Sequence, residues 1–421
     1  MIVYSKLWRA ASTVLSARQI SVSRLAKLSS TSKLHNFTNE LEVIDPTENP
    51  SVVAYKILGD NGTIQGNESY FTQVDTETNL KMYKVMVELS EMDKVMYEAQ
   101  RQGRISFYMT SSGEEGSHVG SAAALDPEDL VYAQYRETGV LMWRGFTMEQ
   151  MMDQLYGNIG SSDKGKQMPV HYGSKEHNFV TISSPLATQL PQAVGSAYAY
   201  KMKKNGKIVI VYFGEGAASE GDAFSALNFA STLECPVIFF CRNNGYAIST
   251  PASEQYGGDG IAARGFGLGI SAIRVDGNDV CAVYNAITKA REYVLTNNRP
   301  LILEAMTYRV GHHSTSDDST AYRSKSEVQE YELNNNPIQR FKTLLLQRKL
   351  WSEEQDKELK KQSKQVVLDA IKKSESKQKP SWKEMFQDVY HDMPQHLTDQ
   401  MKEVEDHLKI YKEHYPLKNH A

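Results

Sequence analysis

Two short, almost uninterrupted apolar runs limit what this chain can fold into. Residues 207–213 read Lys-Ile-Val-Ile-Val-Tyr-Phe, and residues 237–242 form a second run of the same kind. A strand with one wet face alternates apolar with polar side chains. Runs that are apolar at nearly every position predict strands buried on both faces. Helical stretches at 185–204, 219–233 and 279–296, with further strands at 272–276 and 301–307, continue the alternation. The centre is therefore expected to be α/β, a mostly parallel sheet covered by helices on both faces. Residues 82–101 predict another helix, whose Met82, Val85, Met86, Leu89, Met92, Val95 and Met96 keep one stripe and read as core packing rather than a binding surface.

In such a sheet, ligands lie at the carboxyl ends of the strands, where the following helix offers unpaired backbone N–H groups to anions. The first run ends at Phe213 and opens into Gly214-Glu215-Gly216-Ala217-Ala218; the second ends at Arg242 and opens into Asn243-Asn244-Gly245-Tyr246. Small residues let backbone approach a phosphate, Glu215 and Asn244 are oxygen ligands for a hard cation, and Arg242 can bind phosphate oxygens. If the two strands are neighbours, these groups share one crevice, and the combination points to a diphosphate cofactor bridged by magnesium. A nicotinamide fingerprint would need glycine where Ser219 stands, and Gly265-x-Gly267-x-Gly269 has no convincing strand before it. No Walker lysine and no Gly-x-Ser-x-Gly elbow competes.

The ends of the chain differ from its centre. Residues 1–39 hold six basic residues, eight serines and no acidic residue, with Leu7, Trp8, Ala11 and Leu15 at helical spacing. This composition predicts a mitochondrial transit peptide, a disordered basic tail being the plainer alternative. The whole chain carries 47 basic against 51 acidic side chains; without those six basic residues the balance is 41 to 51, a net −10. That charge lacks the basic signature of a nucleic-acid binder, and no apolar run approaches the roughly 18 to 20 residues of a membrane span. Cys235, Cys241 and Cys281 show no Cys-x-x-Cys pairing and read as reduced core residues. Residues 40–80 are expected to form an extended arm, residues 81–335 the α/β domain, and residues 336–421 a charged helical region interrupted at Pro380.

Gly214-Glu215-Gly216 followed by Asn243-Asn244 resembles the thiamine diphosphate motif, with Glu215 in place of the usual aspartate. The segments Gly113-Glu114-Glu115-Gly116-Ser117-His118-Val119-Gly120, Gln134-Tyr135-Arg136-Glu137, Ser183-Ser184-Pro185-Leu186-Ala187-Thr188-Gln189 and Tyr308-Arg309-Val310-Gly311-His312-His313-Ser314 extend the likeness. Together they closely resemble the α subunits of the decarboxylating E1 component of branched-chain 2-oxoacid dehydrogenases. Pyruvate dehydrogenase α subunits, the alternative within the enzyme class, typically carry His-Gly-His-Ser-Met-Ser where this chain has Gly311-His312-His313-Ser314-Thr315-Ser316. A catalytically silent subunit of the same fold is the alternative outside that class, and intact Glu215, Asn244, Arg242 and His313 argue against it.

The resemblance implies a thiamine diphosphate-binding fold with oxidative decarboxylation of branched-chain 2-oxoacids and acylation of lipoyl groups. It places magnesium on Glu215, Asn244 and the carbonyl of Tyr246, and the diphosphate on Tyr135, Arg136, Gly216, Ala217, Arg242 and His313. Ser184 and Leu186 would contact the ring end, and Ser183, Pro185, Thr188 and Gln189 would bind potassium. For this last set a helix cap at Ser183 or Ser184, before Pro185 at the first helical position, is an explanation needing no ion. His313 is the candidate proton carrier, because histidine changes protonation near neutral pH, and His171 is a second candidate whose plainer reading is a hydrogen-bonded loop residue. Residues 308–325 have too little apolar content for core. The resemblance makes them a phosphorylation loop, with Ser314 and Ser324 modified by a dedicated kinase and restored by a phosphatase; a His-His-Asp-Asp metal site fits no known zinc spacing. Only the diphosphate half of such a site is legible here. The other half is expected from an E1 β subunit in an α2β2 heterotetramer, serving a lipoyl-bearing E2 core in the mitochondrial matrix.

Overall fold

The computed structural model describes residues 39–41, 43–45, 51–59, 61–65 and 73–421. The chain divides into residues 1–50 and a compact unit of residues 51–421. In the first unit the described residues are exposed and belong to no helix or strand, and the transit peptide expected over residues 1–39 lies almost wholly outside the described residues.

The second unit is built on a seven-stranded sheet. Its strands are β1 (Ala54–Tyr55), β2 (Leu130–Tyr132), β3 (Phe179–Val180), β4 (Val209–Gly214), β5 (Val237–Asn243), β8 (Ser271–Asp276) and β9 (Leu301–Met306). The hairpin β6 (Tyr246–Ala247) and β7 (Thr250–Pro251) stands apart from it. The sheet order is β1-β8-β9-β5-β4-β2-β3 and every pairing in it is parallel. Successive residues of β4 feed two different cores. Ile210 and Tyr212 pack on one side with Ile238, Phe240 and Leu303, while Val209, Val211 and Phe213 pack on the other with Val237, Phe239 and Ile302. All are essentially inaccessible to water, each contributing roughly 1.5 to 3 kcal/mol of apolar burial. The uninterrupted apolar runs therefore have the expected cause, and the α/β architecture is as the sequence predicts, the sheet expected to be mostly parallel being parallel throughout.

Helix α1 (Thr76–Arg101) begins six residues before the apolar stripe, because Asp75 caps it through a 2.7 Å bond from the amide of Thr78. The methionine stripe, Met82, Met86, Met92 and Met96, is fully buried in the first core. Helices α2 (Glu115–Ala123), α3 (Thr138–Trp143) and α4 (Met148–Tyr156) complete that side. The helix expected at 185–204 is α5 (Gln189–Lys203), and α6 (Gly221–Thr232) follows on the second face. The Ser183/Ser184 cap reading is overturned. Ala187 sits at φ 63°, a left-handed conformation that no helical first turn tolerates, and the helix starts after it at Gln189, with Thr188 as an N-cap that makes no side-chain cap bond. Beyond α7 (Val280–Asn297), the chain forms α8 (Lys325–Asn334), α9 (Pro337–Gln347), α10 (Glu353–Ser376) and α11 (Gln395–Tyr411). Phe341, Leu344 and Leu345 of α9 and Val367 and Ile371 of α10 share the first core with α1, so the change in sequence character near residue 335 marks no separate core. The expected break at Pro380 follows the end of α10 at Ser376. The three cysteines are buried and form no disulfide, and among the described residues no helix is long and apolar enough to cross a membrane.

Candidate active site

β4 and β5 are neighbours in parallel register, Gly214 opposite Arg242, so the two strand ends open side by side as the site requires. A Cβ on Gly216 would meet the Cβ of Ala247 at 2.6 Å; only glycine lets the two strand-end loops approach this closely. Glu215 is 1% exposed. Its Oε2 accepts the amide of Asn244 at 3.3 Å, and its Oε1 has no partner. A buried carboxylate oxygen without a donor is costly unless a cation completes it, so the residues present fit a divalent ion held beside a diphosphate. Asn244 folds its Oδ1 back onto the amide of Tyr246 at 3.2 Å, in a turn through Gly245 at φ 85°. Asn243 points elsewhere, donating to Glu304 at 2.8 Å and to the Tyr256 hydroxyl at 2.9 Å.

Tyr135 and Arg136 lie beyond β2, next to β4. Arg136 is buried; it donates to the carbonyl of Thr110 at 2.6 Å and to that of His313 at 3.0 Å, and approaches His313 Nδ1 at 3.3 Å. Arg309 reaches the same Nδ1 at 3.3 Å, and the Tyr135 ring meets the imidazole edge-on. Burial, then Arg136 and Arg309, push the His313 pKa down from 6.5 to about 3. Burial and the two guanidiniums thus hold the His313 imidazole well below its ordinary range.

Arg242 departs further from expectation. Its Nη1 donates to Glu114 Oε2 at 2.7 Å and its Nε to Glu137 Oε1, so two carboxylates take donors assigned to phosphate. Burial alone would raise the pKa of Glu114, but Arg242 and Arg136 outweigh it and hold the carboxyl at about 2. Glu114 and Glu137 carried no role in the sequence reading. Glu114 sits in a motif whose Gly113 has φ 93° and whose Cβ would strike the carbonyl of Tyr308 at 2.2 Å, a signal of close approach. Glu137 follows Tyr135-Arg136 directly and accepts the amides of Gln134, Tyr135 and Arg136 through Oε2.

The Ser184 hydroxyl pairs with His171 Nε2 at 2.8 Å, while His171 Nδ1 faces the carbonyl of Pro169 at 3.1 Å. His171 is thus the hydrogen-bonded loop histidine of the plainer reading, and it is tied to a predicted ring-end residue. Val170 at φ 66° and Ala187 at φ 63° bracket this contact; left-handed backbone at alanine and especially at a β-branched residue costs about 1 to 3 kcal/mol each and collects at working sites. Leu186 is 40% exposed, an apolar side chain offered outward. Thr188 Oγ1 donates to the Ser183 hydroxyl and to the carbonyl of Pro185, both at 3.2 Å, and Gln189 Nε2 donates to the carbonyl of Tyr212 at 3.0 Å.

The 308–325 loop is polar yet well packed. Arg323 donates to the carbonyls of Arg309, Val310 and Gly311, Thr315 pairs with the backbone of Tyr108, and Asp317 accepts the amide of His313 at 2.8 Å. Its low apolar content therefore does not leave it loose: Ser314 is buried. Ser324 is exposed and caps α8 through the amide of Glu327 at 3.1 Å. His312 pairs with Ser319, away from His313, and no group of three or more metal-binding side chains of the His, Cys, Asp or Glu type occurs among the described residues.

Residues 83–383 match the dehydrogenase E1 component family. The 2-oxoisovalerate dehydrogenase subunit alpha, mitochondrial, of Homo sapiens is 58% identical over 381 residues, 90% of this chain and 85% of the relative. The Caenorhabditis elegans protein of the same name is 57% identical over 382 residues, 90% and 88% of the two chains. The Arabidopsis thaliana subunit alpha 2 is 47% identical over 380 residues, 90% and 80%. These likenesses favour the branched-chain reading over the pyruvate alternative and run the length of the α/β unit that carries Glu215, Asn244 and His313. The chain therefore belongs to the dehydrogenase E1 component family, among the mitochondrial branched-chain 2-oxoacid dehydrogenase alpha subunits.

Proposed function

We propose that this chain supplies the diphosphate-binding half of a shared active site that decarboxylates branched-chain 2-oxoacids and passes the acyl group to lipoyl arms. The observation that carries the reading is the partnerless, buried Oε1 of Glu215 beside Asn244 at two adjacent strand ends. In this reading Glu215, Asn244 and the Tyr246 carbonyl hold magnesium; Tyr135, Arg136, Gly216, Ala217 and His313 hold the diphosphate; and Arg242 contributes positive charge from between its two carboxylates. Ser183, Pro185, Thr188 and Gln189 form the potassium set, and Ser184 and Leu186 meet the ring end. When bound, thiamine diphosphate supplies the carbanion that the protein cannot make. The chain's own work is to neutralise the diphosphate, exclude water and hold His313 where it can exchange a proton at its ring nitrogen; His171 keeps the Ser184 hydroxyl oriented. The outward Leu186 suits a site closed by a β subunit in an α2β2 assembly. The division at 81–335 and 336–421, the lipoyl-bearing core as acceptor, regulation at Ser314 and Ser324 by a kinase and phosphatase, and removal of residues 1–39 after import to the matrix complete the proposal.

Coexpression with the β subunit, followed by thiamine-dependent turnover of 3-methyl-2-oxobutanoate against pyruvate, tests it. Preference for the branched substrate is expected, with no turnover by the isolated chain. Preference for pyruvate, or full activity without the partner, would overturn it.

The environment of His313 makes a second expectation. Its folded pKa of about 3 lies below the unfolded 6.5, so the unfolded chain takes up the proton first, and His313 costs the fold stability as pH falls from 6.5 toward 3. A bound diphosphate offsets the two arginines and should move the titration midpoint upward. Imidazole chemical shifts followed against pH, with and without thiamine diphosphate, report this directly; a midpoint near 6.5 in the cofactor-free protein would contradict the arginine clamp.

A further inference from the structure

Glu114 is wholly buried and stands where the two strand ends meet the Tyr135–Arg136 turn. One of its oxygens, Oε2, accepts from Arg242 Nη1 at 2.7 Å. The other, Oε1, accepts from Asn244 Nδ2 at 2.9 Å and lies 3.6 Å from Arg136 Nε, a nitrogen with no hydrogen-bond partner. A carboxylate that faces two guanidiniums is an acceptor at both oxygens. It therefore takes the N–H end of the Asn244 side-chain amide, an orientation that shape alone leaves open and that the backbone N–H of Tyr246, donating to Oδ1 at 3.2 Å, supports from the other side. With the nitrogen committed to Glu114, the amide oxygen is left on the other side, in the turn beside Glu215.

We propose that Glu114 is a positioning residue for the cation site: by binding Asn244 Nδ2 while anchored by Arg242, it orients the Asn244 amide so that Oδ1 serves as a ligand beside Glu215. The inference rests on the reading of Glu215 and Asn244 as cation ligands and adds the residue that sets their polarity. It also gives a use for the carboxylates that hold Arg242: a guanidinium locked to Glu114 and Glu137 keeps Glu114 in place.

The hydrogen-bond polarity can be inverted by two isosteric changes. In E114Q the carboxylate becomes an amide; with its oxygen drawn to Arg242 it offers N–H to Asn244, which answers by turning Oδ1 inward and presenting N–H to the cation. In E114Q/N244D the introduced carboxylate at position 244 accepts from the introduced amide and keeps a second oxygen for the cation. N244D alone sets two carboxylates against each other. The experiment is an Mn2+ titration, followed by electron paramagnetic resonance, of the full chain coexpressed with its β subunit in saturating thiamine diphosphate. Losses of a ligand-orienting partner run roughly 10- to 100-fold in metal affinity, so each single variant is expected to weaken Mn2+ binding by that range. The double variant is expected to return to within about threefold of wild type. A role of Glu114 in stability alone predicts no recovery in the double variant. That result, or wild-type affinity in E114Q, overturns the proposal. Failure of the wild-type complex to bind Mn2+ would instead remove the cation reading, and this inference with it. Should E114Q yield no folded complex, the double variant decides: regained folding with Mn2+ binding supports the pairing, and loss of both overturns it.

Discussion

Replacing Glu215 by glutamine is expected to give a cofactor-free protein that melts higher than wild type and an assembled enzyme that barely turns over. Both effects come from one oxygen. Glu215 is buried beside Asn244, burial raises its pKa, and its Oε1 finds no donor. An unsatisfied buried group costs about 1 to 3 kcal/mol, more when charged, so removing the charge relieves strain that the fold carries only for a ligand. For a unit of this size, that relief corresponds to a rise in melting temperature on the order of 2 °C. The assembled enzyme loses a charged cation ligand, and with it several kcal/mol of charge stabilisation, a factor on the order of 10³ in rate. Differential scanning calorimetry of the cofactor-free protein and steady-state turnover of the complex check the two halves separately. A destabilised glutamine variant, or one with wild-type turnover, would mean that Glu215 is an ordinary structural carboxylate.

What local pattern made legible was the sheet and the strand-end residues. Two-sided burial writes itself into every position of a strand such as β4, so residues 207–213 predicted both the element and its parallel setting. Strand ends in such sheets are ligand sites by topology, and that sufficed to place Glu215 and Asn244. Element starts were less legible: the cap at Asp75 is polar and lies outside the apolar stripe, while Ser183–Thr188 resembles a cap locally but is bent by Ala187 into something else. Least legible were the pairings between distant parts of the chain. Arg242 meets carboxylates 128 and 105 positions away, and His313 meets Arg136 across 177. Each residue type suggested a function in isolation, phosphate binding for arginine and neutral-pH titration for histidine. Only folding shows that the arginine is already paired with two carboxylates, and that burial and two guanidiniums push the histidine pKa down.

The same dependence on distant partners makes two serines of one loop answer oppositely to added charge. Ser314→Glu in the assembled enzyme is expected to cut turnover on the order of 100-fold, whereas Ser324→Glu is expected to leave it within about twofold. Ser314 is 7% exposed, adjoins His313, and its hydroxyl accepts the amide of Ser316 at 3.2 Å. A longer carboxylate does not fit the buried place of this hydroxyl, and it adds to the negative charge of Asp317, which holds the His313 amide at 2.8 Å. The least costly response is for the loop to swing outward. That breaks the bond from Arg136 to the carbonyl of His313 and withdraws the imidazole from the diphosphate end. Ser324 instead sits exposed at the start of the ten-residue helix α8. Negative charge at a helix N-terminus is favourable by about 0.3 to 1 kcal/mol, which roughly offsets the capping bond lost with the hydroxyl. Hydrogen exchange across residues 308–325 should accelerate in the first variant and not in the second, with Ser314→Ala, which adds no charge, close to wild type in both measurements. Full activity of Ser314→Glu with the loop still protected would remove the charge argument. Equal damage from both glutamates would show that the loop responds to charge anywhere along it, and not to the burial that sets Ser314 apart.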